Sequence, residues 1–359
     1  MKNVMLVTYD MVGGGCERVI AQLANWFTDN EIKCSILTES KPECFYDLNK
    51  KVNIRSFAYD SKNYNRSIIK NYFNLRKMTK KFKPDVIIAM PEKVNVWVAL
   101  ALVGTNIPVI VSERNNPALY PRSKIKRVLR KIIYPFFCKG FVFQTKQASE
   151  FFSLGIQKRS IILPNPIDLN RLPQPYTGKR RKEIVAIGRL EEQKNFHLLI
   201  DAFSEFHHKY DDYILTIYGE GSLRDKLEQY ASKKLPKNSY FLPGKKKNVL
   251  DLINQSQMFI LTSNYEGMPN VLIEAMALGL PVISTDCPVG GPNELIENMK
   301  NGILVPVGDK DGIVLAMFKI VEDENYTKKI CTNAILIRQK LEINKIASQL
   351  LKYLKDIVV

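Results

Sequence analysis

The stretch MFILTSNYEGMPNVLIEAMALGLPVISTDCPVGGPNE, residues 258–294, predicts more of the architecture than any other part of the chain. Its first apolar run, 258–261, predicts a buried strand and is followed by a loop that contains a glycine and a proline. Asn270 is placed to cap a helix over 271–278, and a second apolar run, 282–284, predicts the next strand. Strand, helix and strand in this order form one step of a parallel sheet, and such sheets bind ligands at the carboxyl ends of their strands.

Two carboxylates fall in this unit at the place where a ligand is expected. Glu266 lies in the loop after the first strand, and Glu274 lies eight residues later in the first turns of the helix. The amino end of the helix between them offers backbone N–H groups and the positive end of the helix dipole, which favour a phosphate. Carboxylates beside a phosphate accept hydrogen bonds from hydroxyl groups, such as those of a sugar and a ribose. For either glutamate alone, a solvated surface charge is the alternative interpretation.

The complete string resembles the E-x7-E motif of retaining glycosyltransferases of the GT-B type, the large glycosyltransferase family 4. The form YEGMPNVLIEAMALGLPVISTDCP followed by GGPNE resembles the bacterial subset that builds surface polysaccharides and lipid-linked oligosaccharides. The resemblance implies an α/β fold with two Rossmann-like doubly wound domains facing across a cleft. It also implies transfer with retention, with no metal and no cofactor, since the nucleotide-sugar is a substrate.

The resemblance further assigns roles to residues of the motif. Glu266 is implied to bind the hydroxyls of the donor sugar, and Glu274 those of the ribose. Backbone groups at the start of the helix are implied to contact the phosphate or the sugar; these belong to Gly267, Met268, Pro269, Asn270 and Val271.

Other loops of the second half of the chain also follow strands. Gly188-Arg189-Leu190 with Lys194 resembles the loop in which the family holds the donor diphosphate, and two cations in such a loop can neutralise a pyrophosphate without a metal. Surface charge is the alternative. A later loop with Gly219 and Gly221 resembles the one beside the nucleotide.

The first half of the chain carries weaker motifs. Gly14, Gly15 and Arg18 follow the first predicted strand and resemble the family's Gly-Gly-x-x-x-Arg loop near the donor, although a plain tight turn explains the glycines equally well. A later strand ends in Ser-Glu-Arg-Asn, as in many polysaccharide transferases of this type. Its members, together with one residue of a Pro-Asn-Pro string, are candidates on the acceptor or sugar side: Glu113, Arg114, Asn115 and Asn165. More distant relatives place a histidine in this region, which this chain lacks.

At 359 residues the chain suits two domains. We expect an acceptor-binding, membrane-facing domain over 1–168, a Pro-rich linker over 169–182 and a nucleotide-sugar-binding domain over 183–341. A helix over 342–359 is implied by the resemblance to cross back to the first domain.

The composition excludes several classes of protein. No run approaches the ~20 apolar residues that span a bilayer, and the first residues predict a strand rather than a signal peptide, so we expect a cytoplasmic protein. The six cysteines are scattered and the three histidines form no ligand pattern, which argues against a disulfide scaffold and a metal site.

Positive charge is concentrated in the first half of the chain. Residues 1–168 hold 27 Lys/Arg and 13 Asp/Glu, a net charge of +14, whereas residues 169–359 hold 26 and 23, a net charge of +3. The first domain is therefore expected to meet an anionic partner.

Two basic helices are predicted in that domain. The first lies within 61–83 and places four cations within about 60° of one another: Arg66, Lys70, Lys77 and Lys81. We expect them to follow lipid headgroups or an acceptor diphosphate, unless they are an ordinary solvated face. The opposite, docking face would consist of Ile68, Leu75, Met78 and Phe82.

The second basic helix lies within 122–134 and includes Lys126 and Arg130 on its basic side. Its apolar side contains Ile125, Val128, Leu129, Ile132 and Phe136. A basic amphipathic helix is typical of a membrane surface, although the apolar side can instead pack on its own domain. The charge of the domain favours the membrane.

These observations predict a transferase that moves an N-acetylhexosamine or hexose from a UDP-sugar to a polyprenyl-diphosphate-linked glycan, bound to the anionic inner membrane surface. A GDP-mannose-dependent mannosyltransferase, a GT-B epimerase and a GT-B phosphorylase are alternatives. A nucleic-acid-binding protein and a catalytically silent membrane adaptor would explain the charge, but not the paired glutamates at a phosphate site; we therefore expect no nucleic-acid partner.

Overall fold

The computed structural model describes residues 1–60, 63–64 and 67–358, and the chain divides into two compact units. Unit 1 comprises Met1–Pro166 and Leu341–Val359, and unit 2 comprises Ile167–Lys340. Each unit contains its own parallel sheet.

The strands of unit 1 are β1 (Asn3–Thr8), β2 (Lys33–Thr38), β3 (Asn53–Ser56), β4 (Tyr59–Asp60), β5 (Asn63–Tyr64), β6 (Val86–Ala89), β7 (Val109–Glu113), β8 (Gly140–Phe143) and β9 (Ser160–Ile162). Its helices before the boundary are α1 (Gly15–Asp29), α2 (Ile68–Phe82), α3 (Glu92–Ala101), α4 (Lys124–Phe137), α5 (Lys146–Glu150) and α6 (Leu154–Gln157). The main sheet has the order β3-β2-β1-β6-β7-β8-β9, and all of its strands are parallel.

The strands of unit 2 are β10 (Arg181–Ile187), β11 (Ile214–Tyr218), β12 (Tyr240–Gly244), β13 (Ser256–Leu261), β14 (Val282–Thr285) and β15 (Ile303–Val305). Its helices are α7 (Phe196–His207), α8 (Arg224–Lys234), α9 (Val249–Ile253), α10 (Asn270–Ala277), α11 (Gly291–Leu295), α12 (Lys310–Glu322), α13 (Glu324–Ile335) and α14 (Ile337–Lys340). Its sheet, also parallel, has the order β12-β11-β10-β13-β14-β15.

Burial explains why the central strands read as continuous apolar runs. Residues 4–7 of β1 and 258–261 of β13 are almost completely inaccessible to solvent. Central strands of a parallel sheet are covered by helices on both faces, so both sets of alternating side chains are apolar. In each sheet the strand order reverses beside the first strand, at β1/β6 and at β10/β13, and ligands of doubly wound sheets bind at such points.

The last helix, α15 (Ile343–Val358), belongs to unit 1. Its Asn344 accepts a hydrogen bond from Trp26 Nε1 at 2.8 Å, and Tyr353 Oη donates to the carbonyl of Arg159 at 2.5 Å. These contacts attach the carboxyl end of the chain to α1 and to the outer strands of the first sheet.

The segment 169–182, predicted as a linker, differs from that prediction because it is attached to unit 2. Its last two residues already belong to β10. Arg180 donates to the carbonyl oxygens of Asn254 at 2.9 Å and Gly279 at 2.7 Å. Charged residues in a Pro-rich stretch indicate exposure, but the guanidinium here is used to satisfy carbonyls of unit 2.

Within residues 1–60, 63–64 and 67–358, no helix combines the length and the apolar character that crossing a bilayer requires.

Candidate active site

The predicted strand–helix–strand unit of residues 258–294 is present as β13, α10 and β14. The helix begins at Asn270 itself, with Pro269 in the preceding cap position, so Asn270 is the first helical residue and not the cap. Gly279 has a φ of +69°, which terminates the helix in the left-handed conformation that glycine adopts without strain.

A buried ion pair joins the two loops at the carboxyl ends of β10 and β13. Lys194 Nζ lies 2.5 Å from Glu266 Oε1, and the two side chains are only 11% and 9% exposed. Ser263 Oγ donates to the same carboxylate oxygen at 2.7 Å. The carboxylate of Glu266 is thereby held in one orientation at the edge of the sheet, next to the start of α10.

The Glu266 backbone is fixed by the loop that follows β14. Its N–H donates to the carbonyl of Pro288 at 2.7 Å, and its carbonyl accepts from Val289 N–H at 3.0 Å. Gly291 lies so close that a Cβ at this position would come within 1.8 Å of the Gly267 carbonyl oxygen. Only glycine allows this approach, which explains the second glycine of the Gly-Gly pair; the first, Gly290, has a φ of +77°.

The glycines predicted in the other loops of unit 2 also allow two backbone segments to approach closely. A Cβ on Gly219 would lie 1.8 Å from the Gly188 carbonyl oxygen, and one on Gly221 would lie 2.4 Å from that of Leu190. The backbones after β10 and β11 therefore touch, and their loops form one surface with the Glu266 loop at this edge of the sheet.

The two predicted cations of unit 2 differ in their surroundings. Lys194 is buried in its ion pair, whereas the Arg189 side chain is 60% exposed. Arg189 Nη2 donates to Gln193 Oε1 at 3.1 Å, and Gln193 Nε2 donates to the carbonyl of Tyr265 at 2.9 Å. Arg189 Nη1 also lies 3.6 Å from Glu191 Oε2, in an ion pair at the surface that a diphosphate can reach. Gln193 links the Arg189 loop to that of Glu266.

Three residues of this cluster, Ser263, Gln193 and Cys287, were not singled out from the sequence. Cys287 is buried beside the ion pair; burial, followed by the Glu266 charge, raises the pKa of its thiol to about 12. Ser, Gln and Cys at these positions carry no pattern of their own, so a sequence signal for them is lacking. Among the described parts of the chain, no three His, Cys, Asp or Glu side chains are grouped as metal ligands.

A second polar cluster lies at the carboxyl edge of the unit 1 sheet. Arg114 Nη1 donates to Asn165 Oδ1 at 2.9 Å, and Gln144 Nε2 donates to the same oxygen at 2.6 Å. Two of the predicted residues, Arg114 and Asn165, are therefore brought together, although they are separated by 51 positions. Burial lowers the pKa of the Arg114 guanidinium from its usual value.

Glu92, the first residue of α3, belongs to this cluster and was not predicted. Its Oε2 accepts from Arg114 N–H at 3.3 Å, and its side chain is buried. Burial, together with the nearby Glu113 charge, raises the pKa of Glu92 to about 7. A glutamate after a proline at the start of a helix looks like an ordinary first-turn charge, so the sequence does not reveal its position.

Two predicted residues, Glu113 and Arg130, have a different role from the one expected. They form a fully buried ion pair with an Nη1–Oε2 distance of 2.8 Å, and Tyr134 Oη donates to the other carboxylate oxygen at 2.5 Å. Each side chain of the pair is 1% exposed. Glu113 therefore cannot face a sugar, and Arg130 cannot meet a lipid phosphate. The two charges pin α4 to the end of β7.

The remaining acceptor-side and glycine-loop predictions are placed as follows. Asn115 Oδ1 accepts from the N–H of Asn116 at 2.8 Å, which stabilises the turn after Arg114. The Gly14 carbonyl accepts from Tyr46 Oη at 2.8 Å, and the Arg18 guanidinium lies 5.8 Å from the centre of the same ring. Gly15 is the first residue of α1.

The predicted basic row on α2 is partly described. Lys70, Lys77 and Lys81 are exposed on one side of the helix, and Arg66 lies outside the described residues. The predicted docking face was wrong at Ile68, which is 71% exposed; the buried positions are Asn71, Leu75 and Thr79, with Met78 and Phe82 half-buried. Ser67 caps the helix, since its Oγ accepts from the N–H of Lys70 at 3.3 Å.

On α4 the predicted apolar side faces solvent. Its five residues, Ile125, Val128, Leu129, Ile132 and Phe136, are between 38% and 79% exposed. Packing of this side on its own unit, one of the two interpretations of the sequence, is therefore wrong. The helix packs instead through Arg130, Ile133 and Tyr134, because the ion pair to Glu113 turns that side inward. Lys126 is exposed and donates to the Lys93 carbonyl at 3.3 Å.

Comparison with known proteins decides the family. Residues 172–336 match the family described as Glycosyl transferases group 1, and residues 13–171 match Glycosyltransferase Family 4. An uncharacterized glycosyltransferase of Methanocaldococcus jannaschii is 30% identical over 70% of this chain and 68% of its own. The chain is a family 4 glycosyltransferase. The membership of this family that the motif predicted is confirmed.

Two further similarities span nearly the whole glycosyltransferase. The Campylobacter jejuni enzyme named GalNAc-alpha-(1->4)-GalNAc-alpha-(1->3)-diNAcBac-PP-undecaprenol alpha-1,4-N-acetyl-D-galactosaminyltransferase is 29% identical over 99% of both chains. The structure of Anabaena HepE in complex with UDP-glucose superposes with a TM-score of 0.82 over 99% of both chains at 16% identity. The predicted GT-B fold, with two Rossmann-like domains, is confirmed.

Proposed function

We propose that this glycosyltransferase moves an N-acetylhexosamine or hexose from a UDP-sugar to a polyprenyl-diphosphate-linked glycan, with retention of the anomeric configuration. The observation that carries the proposal is the Lys194–Glu266 pair at the carboxyl edge of the unit 2 sheet, beside the amino end of α10. A nucleoside diphosphate sugar requires cations and a helix amino terminus for its diphosphate, and an oriented carboxylate for its hydroxyl groups.

The donor diphosphate would be held by cations and backbone groups. Arg189 is exposed enough to reach it, and the start of α10 presents N–H groups and a positive dipole end to an anion. As the bond to the sugar breaks, negative charge develops on the leaving diphosphate, and Arg189 and Lys194 would stabilise that charge. These cations would neutralise the diphosphate as a metal ion does in other enzymes, so the proposal includes no metal.

The two glutamates would orient the donor through its hydroxyl groups. Glu266 is fixed by Lys194 and Ser263 and retains acceptor capacity toward a sugar hydroxyl. Glu274 lies half-buried in the first turns of α10, where the ribose of a nucleotide bound at the helix terminus would be expected. Neither residue is proposed as a nucleophile or a general base, because the donor phosphate can take the proton of the acceptor.

The acceptor would be recognised by unit 1. The Campylobacter relative is named for a polyprenyl-diphosphate-linked substrate. The lysine row on α2 offers cations to such a diphosphate, and Arg114 with Asn165 offers polar groups at the carboxyl edge of the sheet. We propose that the enzyme works at the cytoplasmic face of an anionic membrane in cell-surface polysaccharide synthesis.

The test is nucleotide release from UDP-GlcNAc, UDP-GalNAc, UDP-glucose and GDP-mannose, with and without short-chain polyprenyl-diphosphate glycans, in buffer containing a chelator. We expect release from one UDP-sugar that requires the acceptor and persists under chelation. Glu274→Ala should abolish it. The control Glu324→Ala removes a glutamate at the start of α13, away from the proposed site, and should leave release unchanged.

Other outcomes would change the assignment. Equal release without acceptor would favour an epimerase or a hydrolase, and release from GDP-mannose alone would favour a mannosyltransferase. No binding of any nucleotide-sugar, together with salt-sensitive binding to nucleic acid, would contradict the proposal entirely.

A further inference from the structure

One face of α4 is apolar and exposed along its whole length. Its five side chains are those named above, Ile125, Val128, Leu129, Ile132 and Phe136, and we call them the α4 stripe. At 100° per residue these positions fall within about 100° of one another, so they form one continuous line. From Ile125 to Phe136 the helix rises about 16 Å.

All charged residues in the sequence that flanks the stripe are cationic. From Arg114 to Ser149 the chain contains no acidic residue. Lys124 and Lys131 are exposed and lie on one flank of the stripe, and Lys126 is exposed on the other side of the helix. The Glu113 carboxylate, which α4 contacts, is buried and paired with Arg130.

The helix is held so that this face stays outward. Arg130 is anchored not only to Glu113 but also to the carbonyl oxygens of Tyr120 at 2.9 Å and Pro117 at 2.7 Å. Rotating α4 to bury the stripe would break these bonds and expose a buried charge pair. The exposure is therefore a fixed property of the fold. Contact of five apolar side chains with water is unfavourable, unless a membrane or a protein partner covers them.

We infer that the α4 stripe inserts into the headgroup and upper acyl region of an anionic bilayer, with Lys124 and Lys131 at the level of the lipid phosphates. Apolar side chains flanked by lysines suit this interface, because the long lysine stems keep their ammonium groups at the polar boundary. Each lysine near an anionic leaflet adds about 1 kcal/mol of attraction. The inference rests on the proposed function in that a polyprenyl-linked acceptor brings the enzyme to a membrane.

The two basic helices thereby differ in their roles. On α2 the exposed apolar side chains, Ile68, Ile69 and Phe73, lie in its first turns beside the lysine row, whereas on α4 the exposed apolar line continues from Ile125 to Phe136. Docking would therefore depend on α4, and Lys70, Lys77 and Lys81 would remain for phosphate groups of the acceptor.

The test is co-sedimentation of the full chain with vesicles of phosphatidylcholine alone and of equal parts phosphatidylcholine and phosphatidylglycerol. We expect binding to the anionic vesicles that falls at least about tenfold in the double variant Ile132→Ser/Phe136→Ser. The matched control Leu315→Ser/Leu336→Ser removes two apolar side chains of similar exposure from unit 2 and should bind like the unaltered chain. Lys124→Gln/Lys131→Gln should weaken binding to anionic vesicles and remove its salt dependence.

A tryptophan probe reports insertion once the emission of Trp26 and Trp97, measured in the unaltered chain, is subtracted. The variant Phe136→Trp should show a blue-shifted emission that brominated acyl chains quench, whereas Leu315→Trp on the same vesicles should not. Vesicle binding that is unchanged in the serine variant, or unquenched emission from vesicle-bound Phe136→Trp, would overturn the inference. So would a dimer in sedimentation velocity that the serine variant converts to monomer, because a protein partner would then cover the stripe.

These measurements are independent of catalysis. Nucleotide release with a short-chain acceptor in detergent should be the same in the serine variant and in the unaltered chain. Loss of vesicle binding with full turnover in detergent would support the stripe and leave the transferase intact. Absence of turnover in both proteins would contradict the proposed function without affecting the binding result.

Discussion

Lys194 Nζ lies 2.5 Å from Glu266 Oε1 in a site that excludes most solvent. The pair joins the loop after β10 to the loop after β13, and it supplies one cation and one acceptor for a bound nucleotide-sugar. Because a buried charge depends on its partner, the same contact links the stability of unit 2 to the geometry of the proposed reaction.

Substitution of Lys194 tests this link. Lys194→Met should abolish transfer and lower the free energy of unfolding by about 3 kcal/mol, because it leaves the Glu266 carboxylate buried without a counter-charge. Lys194→Met/Glu266→Gln should recover much of the stability but none of the activity. The exposed control Lys226→Met should change neither. Urea titrations and nucleotide release would measure both effects; a stable, active Lys194→Met would contradict the role of the pair.

Gly291 is predicted to be irreplaceable. In Gly291→Ala the new Cβ would lie 1.8 Å from the Gly267 carbonyl oxygen, so the loop that carries Glu266 must move. We expect at least about a tenfold loss in kcat/KM and a stability loss of about 1–3 kcal/mol, as for overpacking a core. Gly155→Ala, where no atom lies within 4 Å of the new Cβ, is the control. Equal kinetics in the two variants would mean that the loop contact has no effect on the site.

Glu92 should make stability depend on pH. Burial and the Glu113 charge raise the pKa of the folded carboxyl from 4.5 to about 7, so the folded chain binds this proton more tightly than the unfolded chain. Its contribution is fully present below about pH 4.5 and is lost as the pH rises through about 7, a difference of about 3 kcal/mol.

Glu92→Gln removes this titration. The free energy of unfolding of the variant, measured by urea titration at pH 5, 6, 7 and 8, should gain on that of the unaltered chain as the pH rises. The exposed control Glu150→Gln should follow the unaltered chain. Parallel pH profiles for Glu92→Gln and the unaltered chain would show that Glu92 is ionised in the folded state.

The buried pair of Glu113 and Arg130 predicts a contrast between neighbours on α4. Arg130→Met should destabilise the chain by about 3–5 kcal/mol, since Glu113 is then left unpaired. Lys131→Met, at the next and exposed position, should change stability by less than ~0.5 kcal/mol. Thermal unfolding of the two variants measures the difference, and similar melting temperatures would mean that Arg130 is not the anchor of the helix.

The elements around residues 258–294 could be predicted because their patterns are local. Apolar runs, a glycine at the helix end and prolines in the loops determine β13, α10 and β14 with little contribution from distant residues. The family motif then placed Glu266 and Lys194 in one site, although they are 72 positions apart.

The incorrect predictions share one physical cause: the sequence does not show which face of a helix or strand packs against the rest of the unit. The sequence shows that α4 is amphipathic, but its inward side is set by an ion pair to Glu113, 17 residues earlier. A strand-end glutamate and a helical arginine both look like surface charges until their partner is known. For the same reason Ile68, Glu92 and Cys287 could not be assigned from periodicity or from motif.

The anomeric configuration of the bond that the enzyme makes is the decisive observable for the proposed reaction. The enzyme, a UDP-sugar with an α-linked sugar and a short-chain polyprenyl-diphosphate glycan would be incubated, and the product examined by proton NMR. We predict one new α-glycosidic bond on the lipid-linked glycan, formed only when Lys194 and Glu266 are intact. A β-linked product would contradict retention, and free sugar with an unmodified glycan would contradict glycosyl transfer itself.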